Sequence, residues 1–139
     1  MIDLQDITIS MYKLLLLTLP GMTVYNSIAA YDRESPYAVF DLVEGGARGG
    51  AGHDYFGDDP GTDHVFVLSV KLYASRDEGA GALRRSAARM ISALHRTRPT
   101  LTGLSASEIR VRQRGNTVHA GNNLWMINPV FSIVGSATS

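Results

Sequence analysis

The residues whose types could do chemistry concentrate between positions 45 and 64 of this 139-residue chain. His53-Asp54 and Asp63-His64 bracket this stretch, and Asp58-Asp59 lies between them. Imidazole and carboxylate groups are metal ligands and general acid–base groups. None of the four histidines is spaced i, i+4 from another, which is how a helix holds a metal with two histidines. The pattern therefore favours solvated turn residues over a metal centre, and we expect no metal ion.

A glycine-rich run, Gly-Gly-Ala-Arg-Gly-Gly-Ala-Gly from Gly45, is the second candidate motif. A phosphate-binding loop needs Gly-Lys-Ser/Thr at the start of a helix, because the lysine and the hydroxyl contact phosphate and magnesium. The chain contains neither that tripeptide nor a GxGxxG spacing, and it has no cysteine and no Gly-x-Ser-x-Gly motif. We therefore expect no cofactor and no enzymatic activity.

Overall charge and hydropathy restrict the class of partner. Thirteen Lys and Arg balance thirteen Asp and Glu, and a net charge of zero disfavours specific nucleic-acid binding. The apolar run Leu14–Leu17 is followed by Pro20-Gly21, whereas a membrane span needs about 20 apolar residues. The first residues are acidic, unlike the basic start of a signal peptide. We expect a soluble protein that stays in the cytoplasm where it is made.

Arginine is the distinctive cation, with eleven Arg against two Lys. Arginine makes planar bidentate contacts and is favoured at protein interfaces, although ordinary solvated charge is an equal alternative. A basic helix and an acidic loop on one subunit suit head-to-tail contact between identical copies, which closes into a ring when the rotation allows. The candidate interface residues are Arg84, Arg85, Arg89 and Arg96 on the second helix, and Arg48, Asp54, Asp58, Asp59 and Asp63 in the loop.

Hydrophobic periodicity supplies the elements that would position these residues. The pair Ser75 and Glu78 has capping-box spacing ahead of the second helix. Pro129 lies inside the last strand and cannot donate to a ladder, so it marks an edge or a bulge. The predicted elements are a helix over 3–18, strands over 37–43, 64–74, 108–114 and 124–134, a helix from about 75 to 96, and a loop over 45–63.

This order predicts one α+β domain over residues 1–139. We expect a largely antiparallel mixed sheet of four to five strands, with two helices packed on one face. Strand 108–114 would carry three arginines, Arg110, Arg112 and Arg114, on one side.

Several segments together resemble one protein family. They are Val24-Tyr25-Asn26, Ser-Pro-Tyr-Ala-Val-Phe over 35–40, Val-Leu-Ser-Val-Lys-Leu-Tyr-Ala-Ser-Arg over 67–76, and Ile-Ser-Ala-Leu-His over 91–95. In this order the segments resemble the tail completion, or tail terminator, proteins of long-tailed bacteriophages and of related prophage and gene-transfer particles. The resemblance covers roughly residues 4–134, and the loop over 45–63 is longer and richer in glycine than the family leads one to expect.

The resemblance implies an assembly role without catalytic residues. Family members form a hexameric ring that caps the tail tube, stops the addition of tube subunits and offers a surface to the head-side connector. The implied partners are other copies of the chain, the major tail tube protein and a connector or neck protein, with DNA passing through the ring. The implied location is the virion tail or neck, after assembly in the cytoplasm of the host bacterium.

Two alternatives stay open at this point. One is a different neck or head–tail joining component of the same kind of particle. The other is a small ligand-binding or metal-binding domain that uses the loop containing His53 and His64. Under the ring hypothesis, sheet edges would pair between subunits, and the strand containing Pro129 is the candidate edge.

Overall fold

The computed structural model of the protein describes residues 4–48, 63–101 and 104–137. Two helices and one sheet of eight strands make up this part of the chain, which confirms the α+β class and enlarges the sheet beyond four to five strands. The elements are α1 (Leu4–Thr18), β1 (Thr23–Asn26), β2 (Tyr37–Arg48), β3 (Asp63–Ser75), α2 (Ala80–Leu94), β4 (Leu104–Ala106), β5 (Arg110–Gln113), β6 (Val118–His119), β7 (Leu124–Ile127) and β8 (Val130–Ala137).

Strand β3 is the centre of the sheet. It pairs with β2 on one side, and with β7 and then β8 on the other. At one end of the sheet the order is β1-β2-β3-β7-β6, and at the other end β4 and β5 pair with β8. Every pairing is antiparallel except that of β1 with β2. The extra strands relative to the prediction are pieces of two to four residues, too short for periodicity to reveal.

Alternation along β3 separates a core face from an open face. Phe66, Leu68, Val70 and Leu72 are fully buried beneath the two helices. The intervening residues are half-buried or exposed, and Lys71 among them reaches solvent. Because successive side chains of a strand point to opposite faces, helices that cover only one face leave a broad surface on the other.

The β2–β3 pair extends further than the sequence suggests. Gly45–Arg48 belongs to β2 and Asp63 is the first residue of β3, so both ends of the predicted loop 45–63 are strand. A register shift between Glu44 and Gly46 admits the glycines, because a bulge places an extra residue in one strand without ending the ladder. Residues 49–62 lie outside the described residues.

Pro129 divides the predicted strand 124–134 into β7 and β8. Its carbonyl oxygen accepts a hydrogen bond from the Val70 amide at 3.0 Å, but it has no amide of its own to donate, so the ladder breaks there. The expectation that this strand is a sheet edge is wrong, because β8 lies between β3 and the pair β4 and β5.

The predicted capping-box residues, Ser75 and Glu78, bond to each other in a turn that precedes α2. The Ser75 amide donates to Glu78 Oε1 at 2.8 Å, and the Glu78 amide donates to Ser75 Oγ at 3.2 Å. These bonds close a turn, and the helix begins after Gly79, whose φ of 88° an L side chain rarely adopts. The helix ends at Leu94, slightly before the predicted 96.

Candidate interaction surfaces

Arg84, Arg85 and Arg89 form the α2 basic face, on the side of α2 turned away from the sheet. All three are exposed, and α2 contains no acidic residue to neutralise them. The helix buries Leu83, Ala87, Met90, Ile91 and Leu94 in the core, so helical spacing alone directs the arginines outward. Arg84 donates from one guanidinium nitrogen to Thr117 Oγ1 at 3.2 Å, which ties the helix to the segment before β6.

Arg96 does not belong to that face. It lies beyond the end of α2 with a φ of 68°, and its amide donates to the Ile109 carbonyl at 2.8 Å. The prediction that placed it on the helix is therefore wrong, because the chain turns at His95 to meet the segment leading into β5.

The predicted acidic residues are only partly within the described chain. Asp63 lies in β3 and accepts a hydrogen bond from Ser136 Oγ at 2.6 Å, so it joins β3 to β8. The side chain of Arg48, at the end of β2, lies outside the described residues, as do Asp54, Asp58 and Asp59. Of these residues only the side chain of Asp63 is described, its hydrogen-bond partner lies on β8, and the role of the set as an interface stays a prediction.

His64 has a structural environment that the sequence interpretation missed. It is buried in β3, and its Nδ1 lies 2.6 Å from Glu44 Oε1 on the neighbouring strand. The expectation of a solvated turn residue is wrong here because β3 begins at Asp63 and carries His64 into the core face beside Phe66. Across the described ranges, no three His, Asp or Glu side chains approach closely enough to hold a metal ion.

The outer surface of α1 exposes several large apolar side chains around the exposed Asp6 and Lys13, and sequence reasoning missed them. Ile9, Tyr12, Leu16 and Leu17, which we call the α1 outer face, are all exposed, with Leu17 at 81%. The opposite side of α1 packs Ile7, Met11 and Leu15 into the core. Four consecutive leucines cannot all point inward from a helix of 3.6 residues per turn, and this was the signal available in the sequence. Neither helix in the described ranges is long and apolar enough to cross a membrane.

The open face of the sheet contains a trough of about 410 Å³ that continues into a second hollow of about 400 Å³. One wall is the loop after β1, and the other is the turn between β6 and β7. We call this the open-face trough. Its lining includes Ile28, Arg33, Tyr37, Asp41, Lys71 and Tyr73.

Two stacked tyrosines form the floor of the open-face trough. Tyr37 and Tyr73 are directly paired across β2 and β3, and their ring centroids lie 4.7 Å apart with planes 16° from parallel. Arg33 Nε donates to the Tyr37 hydroxyl at 3.0 Å, and its guanidinium carbon lies 5.6 Å from the same ring centroid. Burial first, and then the neighbouring Tyr37, raise the pKa of Tyr73, so its phenol stays neutral at physiological pH. The trough thus places the half-buried Tyr73 beside the cations of Arg33 and Lys71 and the carboxylate of Asp41, with Tyr37 buried beneath Arg33.

The loop after β1 is held over the trough by an uncommon turn. The Ile28 amide donates to the Asn26 carbonyl at 2.8 Å, and Ser27 between them has a φ of 67°. A γ-turn with positive φ is rare and strained. It leaves Ile28 82% exposed, and Tyr31 further along the loop is fully exposed.

These surfaces are suited to binding other macromolecules. The α1 outer face offers apolar area, the α2 basic face offers charge, and the open-face trough combines aromatic rings with cations. Aromatic and arginine side chains are the types that carry most binding energy at protein interfaces.

Comparison with known proteins identifies the fold. No family model matches this chain, and no curated protein matches it. A chain from the structure of the virion of a native gene transfer agent particle is similar, with a TM-score of 0.66 and 16% identity over 91% of each chain. A second solved structure, known only by a sequence identifier, has a TM-score of 0.67 and 14% identity over 99% of this chain and 98% of the other. The two likenesses show that the α+β fold is shared over almost the entire chain.

Proposed function

We propose that this protein is a structural component of a phage-like particle, acting by binding and not by catalysis. The observation that carries the proposal is the fold shared with a chain of a gene transfer agent virion over 91% of both chains. The surface chemistry agrees with it, because an exposed apolar helix face on a small protein marks an interaction site.

The specific role that we propose is that of a tail terminator. Copies of the chain form a ring of six at the head-proximal end of the tail tube, and the ring ends tube polymerisation. Its other face meets the head-side connector, and DNA passes through its lumen without sequence-specific contacts. Assembly takes place in the cytoplasm of a bacterial host. Support comes from the family resemblance of residues 4–134 and from the two chemically different outward helix faces.

Two measurements test the ring. Light scattering after size exclusion gives the mass of the assembly, and negative-stain images give its shape and copy number. We expect a closed ring of six, either alone or on tail tubes. A monomer at high micromolar concentration that also fails to bind tail tubes contradicts the proposal.

A tube-capping experiment tests the role within the particle. Tail tube protein of the same particle is polymerised with and without this protein, and tube lengths are measured on grids. We expect the protein at one end of each tube and elongation to stop there. Bovine serum albumin at equal mass is the control for crowding.

A neck or connector component is the second candidate, because the similar chain is described only as part of a virion, without its position. Immobilised tail tubes and immobilised portal–connector assemblies separate the two. Binding to tubes favours the terminator. Binding to the portal–connector assembly alone favours the neck component.

A further inference from the structure

We propose that strand β1 of one copy pairs edge to edge with strand β6 of a neighbouring copy, so that identical chains join their sheets into one continuous sheet. The inference deepens the proposed function and rests on it in one respect, namely that copies of the chain assemble into a ring. It adds which two surfaces meet, and in which register.

The two strands are the free edges of the path β1-β2-β3-β7-β6. Within the described ranges, β1 pairs only with β2, and β6 pairs only with β7. Neither Thr23–Asn26 nor Val118–His119 contains Lys, Arg, Asp, Glu or Pro, and neither pairing has a register shift. Proteins usually protect a free edge with charge, proline or a bulge, because its unpaired backbone groups recruit another strand. Both edges are without this protection.

The edge at β5 is covered by the chain itself, and this contrast sets the other two edges apart. The Ile109 amide, just before β5, donates to the Thr97 carbonyl at 2.7 Å. The Val111 amide of β5 donates to His95 Nδ1 at 3.3 Å. The segment after α2 thus occupies backbone groups on the outer side of β5. In the part of the chain that the structure describes, no segment does the same for β1 or β6.

The two free edges lie at the same height on the sheet. Thr23 is opposite Tyr37, Tyr37 is opposite Tyr73, Tyr73 is opposite Met126, and Met126 is opposite Val118. This row of residues begins at one free edge and ends at the other. Neighbouring strands lie about 4.8 Å apart, so four steps separate the ends of the row by about 19 Å within one chain. A second copy placed beside the first continues the row, with its Thr23 next to the Val118 of the first.

The strand directions favour this pairing. Strand β1 runs parallel to β2, and each later step, from β2 to β3, to β7 and to β6, reverses direction, so β6 runs opposite to β1. Rotation about an axis along the strands preserves direction, so β6 of one copy meets β1 of the next in antiparallel orientation, the more stable one. The two edges are different surfaces, and a contact of this heterologous kind closes into a ring when the rotation allows.

The backbone of β1 has a residue turned toward the free edge. The Ser27 amide donates to the carbonyl of Phe40 in β2 at 2.8 Å. Because the backbone groups of successive residues point to alternate sides of a strand, the N–H and C=O of Val24 point away from β2. The Val24 side chain is buried in the core, so the edge offers the backbone of this residue and not its side chain.

The backbone of β6 provides the complementary residue. The Ala120 amide donates to the Leu124 carbonyl at 2.9 Å, and the same alternation turns the N–H and C=O of Thr117 away from β7. In the register that continues the row, Val24 of one copy lies opposite Thr117 of the next. The two residues can then exchange both hydrogen bonds of an antiparallel pair.

Helix α1 adds an apolar surface beside the β1 edge. The Tyr12 ring stacks on Phe40 of β2 with centroids 6.3 Å apart, which places this flank of α1 over the β1–β2 side of the sheet. Tyr12 is exposed, as are Ile9 and Leu16 one turn to either side of it. A neighbouring copy paired with β1 would cover this flank and bury apolar area that the monomer leaves in water.

A disulfide test is available because the chain contains no cysteine. The full-length protein is made with Thr23→Cys and Val118→Cys, two exposed positions, and is oxidised under assembly conditions. A directly opposed pair without hydrogen bonds has Cα atoms about 4.5 Å apart, which a disulfide spans, whereas about 19 Å within one chain is too far. We expect a ladder of covalent multimers up to six chains on a non-reducing denaturing gel, and a return to monomer with reductant.

Matched variants control for collision and for register. Each single cysteine variant should stay monomeric on the gel, because neither residue meets its own counterpart in a neighbouring copy. Asn26→Cys with Val118→Cys places the first cysteine at an exposed position of the same strand, three residues out of register, and should give no ladder. Circular dichroism checks that every variant is folded.

Removal of one backbone donor tests the hydrogen bonds without a cross-link. Thr117→Pro deletes the outward N–H of β6 and leaves a partner carbonyl unpaired, which should raise the concentration for half-assembly about tenfold or more. Thr117→Val keeps the N–H but loses the hydroxyl that Arg84 contacts, so it is the matched control and should assemble as the wild type does.

The outcomes separate this inference from the proposed function. Wild-type rings whose Thr23→Cys, Val118→Cys variant stays monomeric under oxidation would overturn the pairing and leave the ring as a proposal. A ladder from the Asn26→Cys pair in its place, or wild-type assembly of Thr117→Pro, would do the same. A wild-type chain that forms no assembly, alone or on tubes, would overturn both proposals. Cross-linked rings that do not stop tube growth would overturn only the proposed function.

Discussion

The two helices have the same length and lie side by side on the same face of the sheet, yet their outer surfaces are opposite in character. Both have 15 residues, and both bury one stripe of apolar side chains in a common core. On the outside, α1 exposes Ile9, Leu16 and Leu17, whereas α2 exposes Arg84, Arg85 and Arg89.

This difference distinguishes helix positions that packing on the sheet constrains from outer positions that are available for contacts outside the monomer. Inner positions of both helices meet the same sheet, so they are apolar in both. Outer positions are free of that requirement, and their composition reflects what they contact. An apolar outer face loses free energy in water and is suited to a permanent contact, whereas a cationic face binds in a manner that salt weakens. Under the proposed function, the two faces would therefore meet different partners or act at different stages of assembly.

The largest expected effect is on the shared inner faces. Leu15→Ala in α1 and Leu94→Ala in α2 each remove a fully buried side chain, and each should lower the free energy of unfolding by about 2–5 kcal/mol. Urea denaturation measures both. Leu17→Ala, on the outside of α1, is the matched control and should stay within about 0.5 kcal/mol of the wild type. A loss for Leu17→Ala as large as that for Leu15→Ala would mean that the outer face packs within the monomer.

The next effect concerns assembly through the α1 outer face. Ile9→Lys with Leu17→Lys should leave the free energy of unfolding nearly unchanged but abolish assembly, because two ammonium groups cannot be buried in an apolar contact. Light scattering should show the loss at both low and high salt. Ile9→Val with Leu17→Met keeps the surface apolar and should assemble normally. Normal assembly of the lysine variant would show that this face is exposed in the particle.

A smaller, salt-dependent effect is expected on the α2 basic face. Arg85→Glu with Arg89→Glu should fold normally and weaken assembly about tenfold at low salt, with the difference shrinking as salt screens the charges. Sedimentation at several salt concentrations measures this. Arg85→Lys with Arg89→Lys keeps the charge and separates electrostatics from bidentate geometry. An unfolded Glu variant would show that these arginines are needed within the monomer.

Sequence periodicity predicted the inner faces well because buried spacing follows directly from helix and strand geometry. The apolar positions of the predicted elements, such as Leu83, Met90 and Leu94 in α2 and Phe66 and Leu72 in β3, are buried. Periodicity failed where pairing with another strand decides the structure. Gly46 has little tendency to form a strand, but its pairing with Val65 of β3 places it in one.

The interaction surfaces were harder to predict, because they depend on residues distant in the sequence. Arg33 lies in a polar loop before β2, and nothing in its sequence neighbourhood connects it with Tyr73 forty residues later. His64 was predicted as the first residue of a strand but was also grouped with the solvated turn residues, because its burial depends on a cross-strand partner, Glu44. Charge composition indicated α2 correctly as a basic surface. The hydrophobic periodicity of α1 was used only to assign its buried stripe, so its exposed apolar residues were missed.

The smallest expected effect is a pH dependence of stability that comes from Glu78, in the turn before α2. Partial burial acts to raise the pKa of Glu78, but hydrogen bonds from Ser75 and Ser35 outweigh burial and lower it below 4.5. A carboxyl group with a lowered pKa in the folded state stabilises the protein above its unfolded pKa, and this contribution is lost as the pH falls through the folded value. We expect Glu78→Gln to cost at most about 1 kcal/mol near neutrality and less at pH 3, because the charge of Glu78 is lost as the pH falls through its folded-state pKa. Thermal unfolding at both pH values measures the difference, with Glu34→Gln, an exposed position in the loop before β2, as the control. An equal loss at both pH values would mean that Glu78 acts through its shape and not its charge. The turn before α2 would then contribute no pH dependence to the stability of the protein.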